Sequence, residues 1–292
     1  MRRFNVASGL SVAADVGGDP AGSAVVLLHG GGQTRHSWKS AFDALVAAGH
    51  HVVALDARGH GESDWDPAGD YSIDALVSDL RSVLMHTPPL PILVGASMGG
   101  MTALAAVGET AQPIARALVL VDVTPMIDVE GSAHITAFMR ANSDGFASVE
   151  DAAVAVAGYL PHRPRPRDVS GLERNLRQRD GRFFWHWDPR LVSDSRFDRL
   201  AVQSRLEAAT RRLRVPTLLI RGAQSNIVGD EQVAHFRTLA PEAEYVNVDG
   251  AGHMVAGDRN DAFNHGILDF IARVDQGGVS PPHDRAHANS ST

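Results

Sequence analysis

Hydrophobic positions along the chain fall into short runs separated by longer amphipathic stretches. AVVLLHG (Ala24–Gly30), HVVALD (His51–Asp56) and PILVGA (Pro91–Ala96) are continuous apolar runs rich in aliphatic residues, the pattern of fully buried strands. ALVLVD (Ala117–Asp122) and TLLIRG (Thr217–Gly222) repeat it, and AEYVNVD (Ala243–Asp249) alternates more. Helical spacing occupies Trp38–Ala48, Ile73–Leu84, Met98–Val107, Glu231–Leu239 and Ala262–Val274. Strands alternating with helices predict βαβ units: an α/β fold with a mostly parallel central sheet and helices on both faces. The opening FNVASGLSVAADVG predicts an antiparallel hairpin at one sheet edge.

The alternation breaks after Asp122. Residues 124–215 carry Arg, Trp and Pro but no comparable buried strand, and ASVEDAAVAVAGYL and SGLERNLRQRD within them have a helical character. So long an interruption is more than a loop and predicts an inserted helical cap. The expected organisation is a first core part at 1–123, the cap at 124–215, a second core part at 216–275, and a tail at 276–292. The tail is polar, rich in Pro and Gly, and expected to be disordered.

Composition narrows the function classes. The 292 residues carry a net charge of −7, which argues against a nucleic-acid binder with a basic face. The Arg cluster PHRPRPRD (Pro161–Asp168) reads as a solvated loop. There is no cysteine, so disulfides, thiolate metal sites and a cysteine nucleophile are excluded. The first ten residues lack the apolar run of a secretory signal, and no stretch approaches the ~20 apolar residues of a membrane span. A cytoplasmic protein with no membrane partner is the expectation; no oligomeric state is indicated.

Three motifs carry chemistry. GASMGG (Gly95–Gly100) fits G-x-S-x-G directly after a buried strand and before a helix. That sharp turn strains its central residue and lifts Ser97 above the sheet, at a helix N-terminus that favours developing negative charge. Gly95 and Gly99 remove side chains that would strike the flanking strand and helix. LHGGGQT (Leu28–Thr34) is a second Gly-rich turn, without the Lys-Ser/Thr of a phosphate loop. The amide of Gly31 in this turn and that of Met98 in the elbow are the candidate oxyanion donors. GAGHM (Gly250–Met254) places His253 late in the chain, in the order nucleophile, acid, histidine. The 14 histidines form no HExxH or similar metal set, so no metal is expected.

Together these residues resemble the α/β-hydrolase superfamily over about Val25–Arg273. LDARGHGESD (Leu55–Asp64) looks like that family's D-x-R-G-x-G-x-S loop, whose role is chiefly structural, so Asp56, His60 and Ser63 are not assigned to catalysis. The elbow is similar to those of esterases, lactonases, C–C bond hydrolases and perhydrolases. Its serine argues against epoxide hydrolases and haloalkane dehalogenases. The resemblance implies a serine esterase or lactonase with a small-molecule ester or lactone as substrate and no cofactor. A perhydrolase, a cofactor-free oxygenase, or a ligand-binding homologue without turnover are the alternatives.

The family's acid most often sits in the loop that here reads RGAQSNIV (Arg221–Val228), and Asn226 occupies its slot. An asparagine can orient an imidazole but cannot stabilise the imidazolium by charge. Asn226 is then an introduced substitution, a natural residue of a weakened enzyme, or a sign that another carboxylate serves. Asp122, ending ALVLVD, is the best such carboxylate, because some members place the acid there; it also suits a loop-fixing role. Asp230 and Asp249 read as a helix cap and a strand end. In the cap, FFWHWDP (Phe183–Pro189) concentrates aromatics. Trp185 and Trp187 either wall a pocket for an apolar group or glue the cap to the core. Met254 and Val255, beside His253, stand within reach of substrate.

Overall fold

The strands are buried on both faces, and consecutive residues supply opposite layers. In β3 (Ala24–Leu28), Val26 and Leu28 face one cluster while Val25 and Leu27 face the other. β4 (His51–Leu55), β5 (Ile92–Ala96), β6 (Ala117–Val121) and β9 (Thr217–Gly222) divide in the same way. Such strands read as continuous apolar runs because neither face meets water. Each buried Val, Leu or Ile contributes about 1.5–3 kcal/mol relative to exposure.

The computed structural model describes residues 1–159, 170–193, 198–253 and 260–278. One eight-stranded sheet runs β1-β2-β4-β3-β5-β6-β9-β10, with β1 (Arg2–Asn5), β2 (Ser11–Gly17) and β10 (Glu244–Val248) completing it. β1 and β2 form the antiparallel hairpin at one edge, β2 pairs antiparallel with β4, and every other pairing is parallel. One layer of the core is filled from α2 (Ile73–Leu84), α3 (Met98–Gly108) and the later α7 (Asp230–Leu239). The other is filled from α1 (Lys39–Ala47) and the last helix, α8 (Asn260–Asp275). α2 begins where Ser72 caps the Ala75 amide, and its apolar residues recur at helical spacing on the buried side.

The inserted region departs from an all-helical cap. It holds α4 (Val129–Arg140), capped by Asp128, and α5 (Val149–Tyr159), but also a hairpin of β7 (Leu176–Arg179) and β8 (Arg182–Trp185). The turn between them is Asp180-Gly181, both at positive φ (51° and 74°). Asp-Gly suits that geometry, which closes a two-residue hairpin and ends any helix. SGLERNLRQRD is therefore a 3₁₀ turn followed by a strand. α6 (Arg199–Thr210), within the stretch expected to be cap, packs on α3: a Cβ at Gly108 would lie 2.3 Å from the Ala209 carbonyl, and Leu206 enters the core layer. The Arg cluster at Pro161–Asp168 and nearly all of the tail lie outside the described residues.

Candidate active site

The parallel strands share one direction, and the candidate residues stand at their C-terminal ends. Ser97 follows β5 with φ 45° and ψ −116°, a conformation an L-residue holds only under constraint from its surroundings. The constraint is visible. Ser97 N donates to Val121 O on β6 (3.2 Å) and Gly99 N to His29 O at the end of β3 (3.1 Å). A Cβ at Gly99 would lie 2.4 Å from Leu28 O, and one at Gly95 2.5 Å from Gly99 O, so the turn closes only with glycine.

Ala96 pairs with Val121, so Asp122 is the neighbour of Ser97 on the adjacent strand. It too has positive φ (48°) and is wholly buried. Its carboxylate collects three donors. Gly222 N reaches Oδ1 (3.0 Å); Ser225 Oγ (2.5 Å) and His253 Nδ1 (2.6 Å) reach Oδ2. A buried carboxylate requires such partners. With Nδ1–H donating, His253 keeps Nε2 as an acceptor. The histidine loop is zipped to the β9 loop by Ala223 N on Val248 O (3.0 Å) and Gln224 N on Ala251 O (2.8 Å).

The two candidate acids thus differ in placement. Asp122 faces the imidazole, whereas Asn226 is exposed. Ser225, one residue earlier, takes the inward position, and its Oγ also accepts from Ile227 N and Val228 N (3.1 Å each). The Asn226 main chain instead receives α4: a Cβ at Gly131 would lie 1.9 Å from its carbonyl, and Asp128 N donates to Ile227 O (2.9 Å). Ser225 was not foreseen; its place just ahead of the slot in RGAQSNIV was the available signal.

The HGGG turn lies against the elbow, where a Cβ on Gly30 would be 3.3 Å from Ser97 Cβ. Its flanking amides have partners: Gly30 N donates to Gln33 Oε1 (3.1 Å) and Gly32 N to His60 Nε2 (3.1 Å). Among the described residues, the N–H groups of Gly31 and Met98 have no acceptor. His29 and His60 are buried and face each other with ring centroids 5.0 Å apart. Burial lowers the pKa of His29, and burial beside His29 pushes His60 down to about 3, so both stay neutral near pH 7. Asp56 binds the Arg35 amide and guanidinium and the Glu62 amide, and Ser63 Oγ donates to Asp56 O (2.6 Å), which fits the structural role expected for that loop.

Trp185 ends β8 and Trp187 lies two residues beyond it. They are 7% and 3% exposed and stack at 4.9 Å in a cluster with Phe146 and Met139, the core of the inserted region. The two indoles pack there with Phe138, Ile135 and Val156 of the neighbouring helices. Trp187 Nε1 donates to Met139 O (3.3 Å), and Met139 Sδ covers the HGGG turn, 3.3 Å from a Cβ on Gly32. Met139 was missed because nothing near it in sequence marks it. Met254 lies outside the described residues. Among the described residues, no cluster of His, Asp or Glu could hold a metal ion, and no helix is long and apolar enough to cross a membrane.

Elbow, late histidine and buried carboxylate stand together at the C-terminal ends of this sheet's strands. The chain belongs to the alpha/beta hydrolase fold family, whose model matches residues 23–259. Among its relatives, the mouse (Mus musculus) sn-1-specific diacylglycerol lipase ABHD11 is 30% identical over 87% of this chain and 83% of its own. The esterase Rv0045c of Mycobacterium tuberculosis is 32% identical over 84% and 82%. Among solved structures, an E-2-(acetamidomethylene)succinate hydrolase superposes with a TM-score of 0.83 at 24% identity, covering 93% of this chain and 98% of that one.

Proposed function

We propose that the protein is a serine hydrolase of carboxylic esters, lactones included as cyclic esters. The observation that carries this is the His253 Nδ1 to Asp122 Oδ2 contact of 2.6 Å on the strand next to the Ser97 elbow. The names of the relatives, an esterase and a lipase, support the same reaction class.

In this reading His253 Nε2 takes the proton of Ser97 as Oγ attacks the ester carbonyl. The Gly31 and Met98 amides stabilise the oxyanion. His253 then protonates the leaving alcohol, which departs and leaves an acyl-Ser97. Water, deprotonated by the same Nε2, attacks the acyl carbon; Ser97 leaves with the proton and the acid is released. Asp122 holds the neutral tautomer and stabilises the imidazolium by charge, which makes a carboxylate at position 226 unnecessary. The test is turnover of p-nitrophenyl esters of increasing chain length. Hydrolysis that is lost in Ser97→Ala and in His253→Ala is expected; turnover surviving Ser97→Ala would refute the assignment, and no turnover of any ester would favour a ligand-binding role.

A further inference from the structure

A trans peptide points its C=O and N–H in opposite directions, so fixing one aims the other. Gly30 O accepts from His29 Nδ1 (2.8 Å) and from Gln33 N (3.1 Å), which turns the Gly31 N–H the opposite way. The next peptide is held by Gly32 N–H donating to His60 Nε2 (3.1 Å). The one after is held from the cap, where His186 Nε2 bonds Gly32 O (3.3 Å). The other nitrogen, Nδ1, accepts from Gly61 N (2.8 Å), so the hydrogen must reside on Nε2. His186 is 2% exposed, with its ring 5.9 Å from that of His60 and edge-on to Trp187. Three successive peptides of the HGGG turn are thus gripped by three imidazoles, two from the core and one from the cap.

We propose that His186 is a positioning residue through which the cap completes the oxyanion site: its bond to Gly32 O locks the turn that aims the Gly31 amide. The inference rests on the serine-hydrolase reading above. Burial lowers the pKa of His186 well below the ordinary value, which keeps it in the neutral form this arrangement needs.

A mere cap anchor would be a different thing, and the cap has one. Asp188 N donates to Gly59 O (2.8 Å), and its carboxylate accepts from Tyr71 Oη (2.5 Å) and Arg190 Nη2 (2.6 Å); none of these atoms belongs to the HGGG turn. The two roles separate experimentally. An asparagine at 186 places its amide where Nδ1 was and keeps the Gly61 bond; a glutamine reaches the Nε2 position and keeps the Gly32 bond. kcat, KM, melting temperature and inhibition by a trifluoromethyl ketone, a tetrahedral-state mimic, are measured for His186→Asn, His186→Gln and Tyr71→Phe. The expected result is a kcat loss of about 10- to 100-fold in His186→Asn at little-changed KM, with the ketone weakened by a similar factor. His186→Gln restores most of both, and Tyr71→Phe melts earlier at unchanged kcat. Circular dichroism verifies folding, and His186→Ser replaces the asparagine variant if that does not fold. Unchanged kcat and ketone affinity in the folded Asn or Ser variant would overturn the inference while wild-type turnover left the hydrolase reading intact. Absence of wild-type ester turnover would instead remove the reading on which it rests.

Discussion

Asp122→Asn tests the acid most sharply, because the carboxylate leaves an amide no good orientation. Oδ1 accepts from the Gly222 amide, and Oδ2 accepts from both Ser225 Oγ and His253 Nδ1. If the asparagine oxygen stays opposite Gly222, its NH2 faces the imidazole. His253 must then accept at Nδ1 and carry its hydrogen on Nε2, the tautomer that cannot take the Ser97 proton. If the oxygen faces the imidazole, the NH2 meets the Gly222 N–H as a buried pair of donors, at about 1–3 kcal/mol. In the serine-protease triad the same change costs about 10⁴ in kcat, or about 5 kcal/mol of transition-state stabilisation. A loss of that order in p-nitrophenyl ester turnover, with KM little changed and the fold intact by circular dichroism, is expected here. Asn226→Asp should leave kcat within about threefold, because its side chain is exposed and away from Nδ1. The reasoning fails if Asp122→Asn keeps a substantial fraction of wild-type turnover, or if Asn226→Asp raises turnover by orders of magnitude.

Three further outcomes are expected. Ser97→Gly should abolish turnover yet raise the melting temperature by about 2–4 °C, because releasing a residue at φ 45° recovers about 1–3 kcal/mol of strain and outweighs the entropic penalty of glycine. Ser225→Ala removes a donor to Asp122 and the acceptor of two loop amides; kcat should fall about tenfold, with about 1–3 kcal/mol lost in urea denaturation. His29, His60 and His186 have pKa values lowered by burial, so the unfolded chain binds more protons than the native one at acid pH. Their stabilisation is full above the unfolded pKa of about 6.5 and declines as pH falls below it; for His60 the decline continues toward about 3, by up to about 1.4 kcal/mol per pH unit. A folded His60→Gln variant should show a shallower melting-temperature decline between pH 7 and 4 than wild type, and an equal slope would contradict this.

The strands and the elbow were legible because each is a local pattern. β3 and β5 are apolar at every position since both faces are covered, and GASMGG follows such a strand directly. Spacing alone left Asp122 and Asn226 as rivals, since each lies just past a strand end. What separates them is the turn of the β9 loop, in which Ser225 points inward and Asn226 outward, and no residue count encodes that. FFWHWDP advertised aromatics but not their direction: Trp185 and Trp187 pack the inserted region, while His186 between them reaches Gly32. The β7–β8 hairpin carried a readable Asp-Gly signal that the helical character of the preceding residues obscured. Met139 became visible only when α4 was laid over the HGGG turn.

The most direct measurement is covalent. The protein is incubated with a fluorophosphonate, and the adduct is located by intact mass and peptide mapping. One adduct on Ser97, formed in parallel with the loss of ester turnover and absent from His253→Ala and Asp122→Asn over the same time, is the result expected of a serine activated through His253 and Asp122. Ester turnover that persists without any adduct on Ser97, or labelling of Ser97 at an undiminished rate in the Asp122→Asn protein, would contradict it.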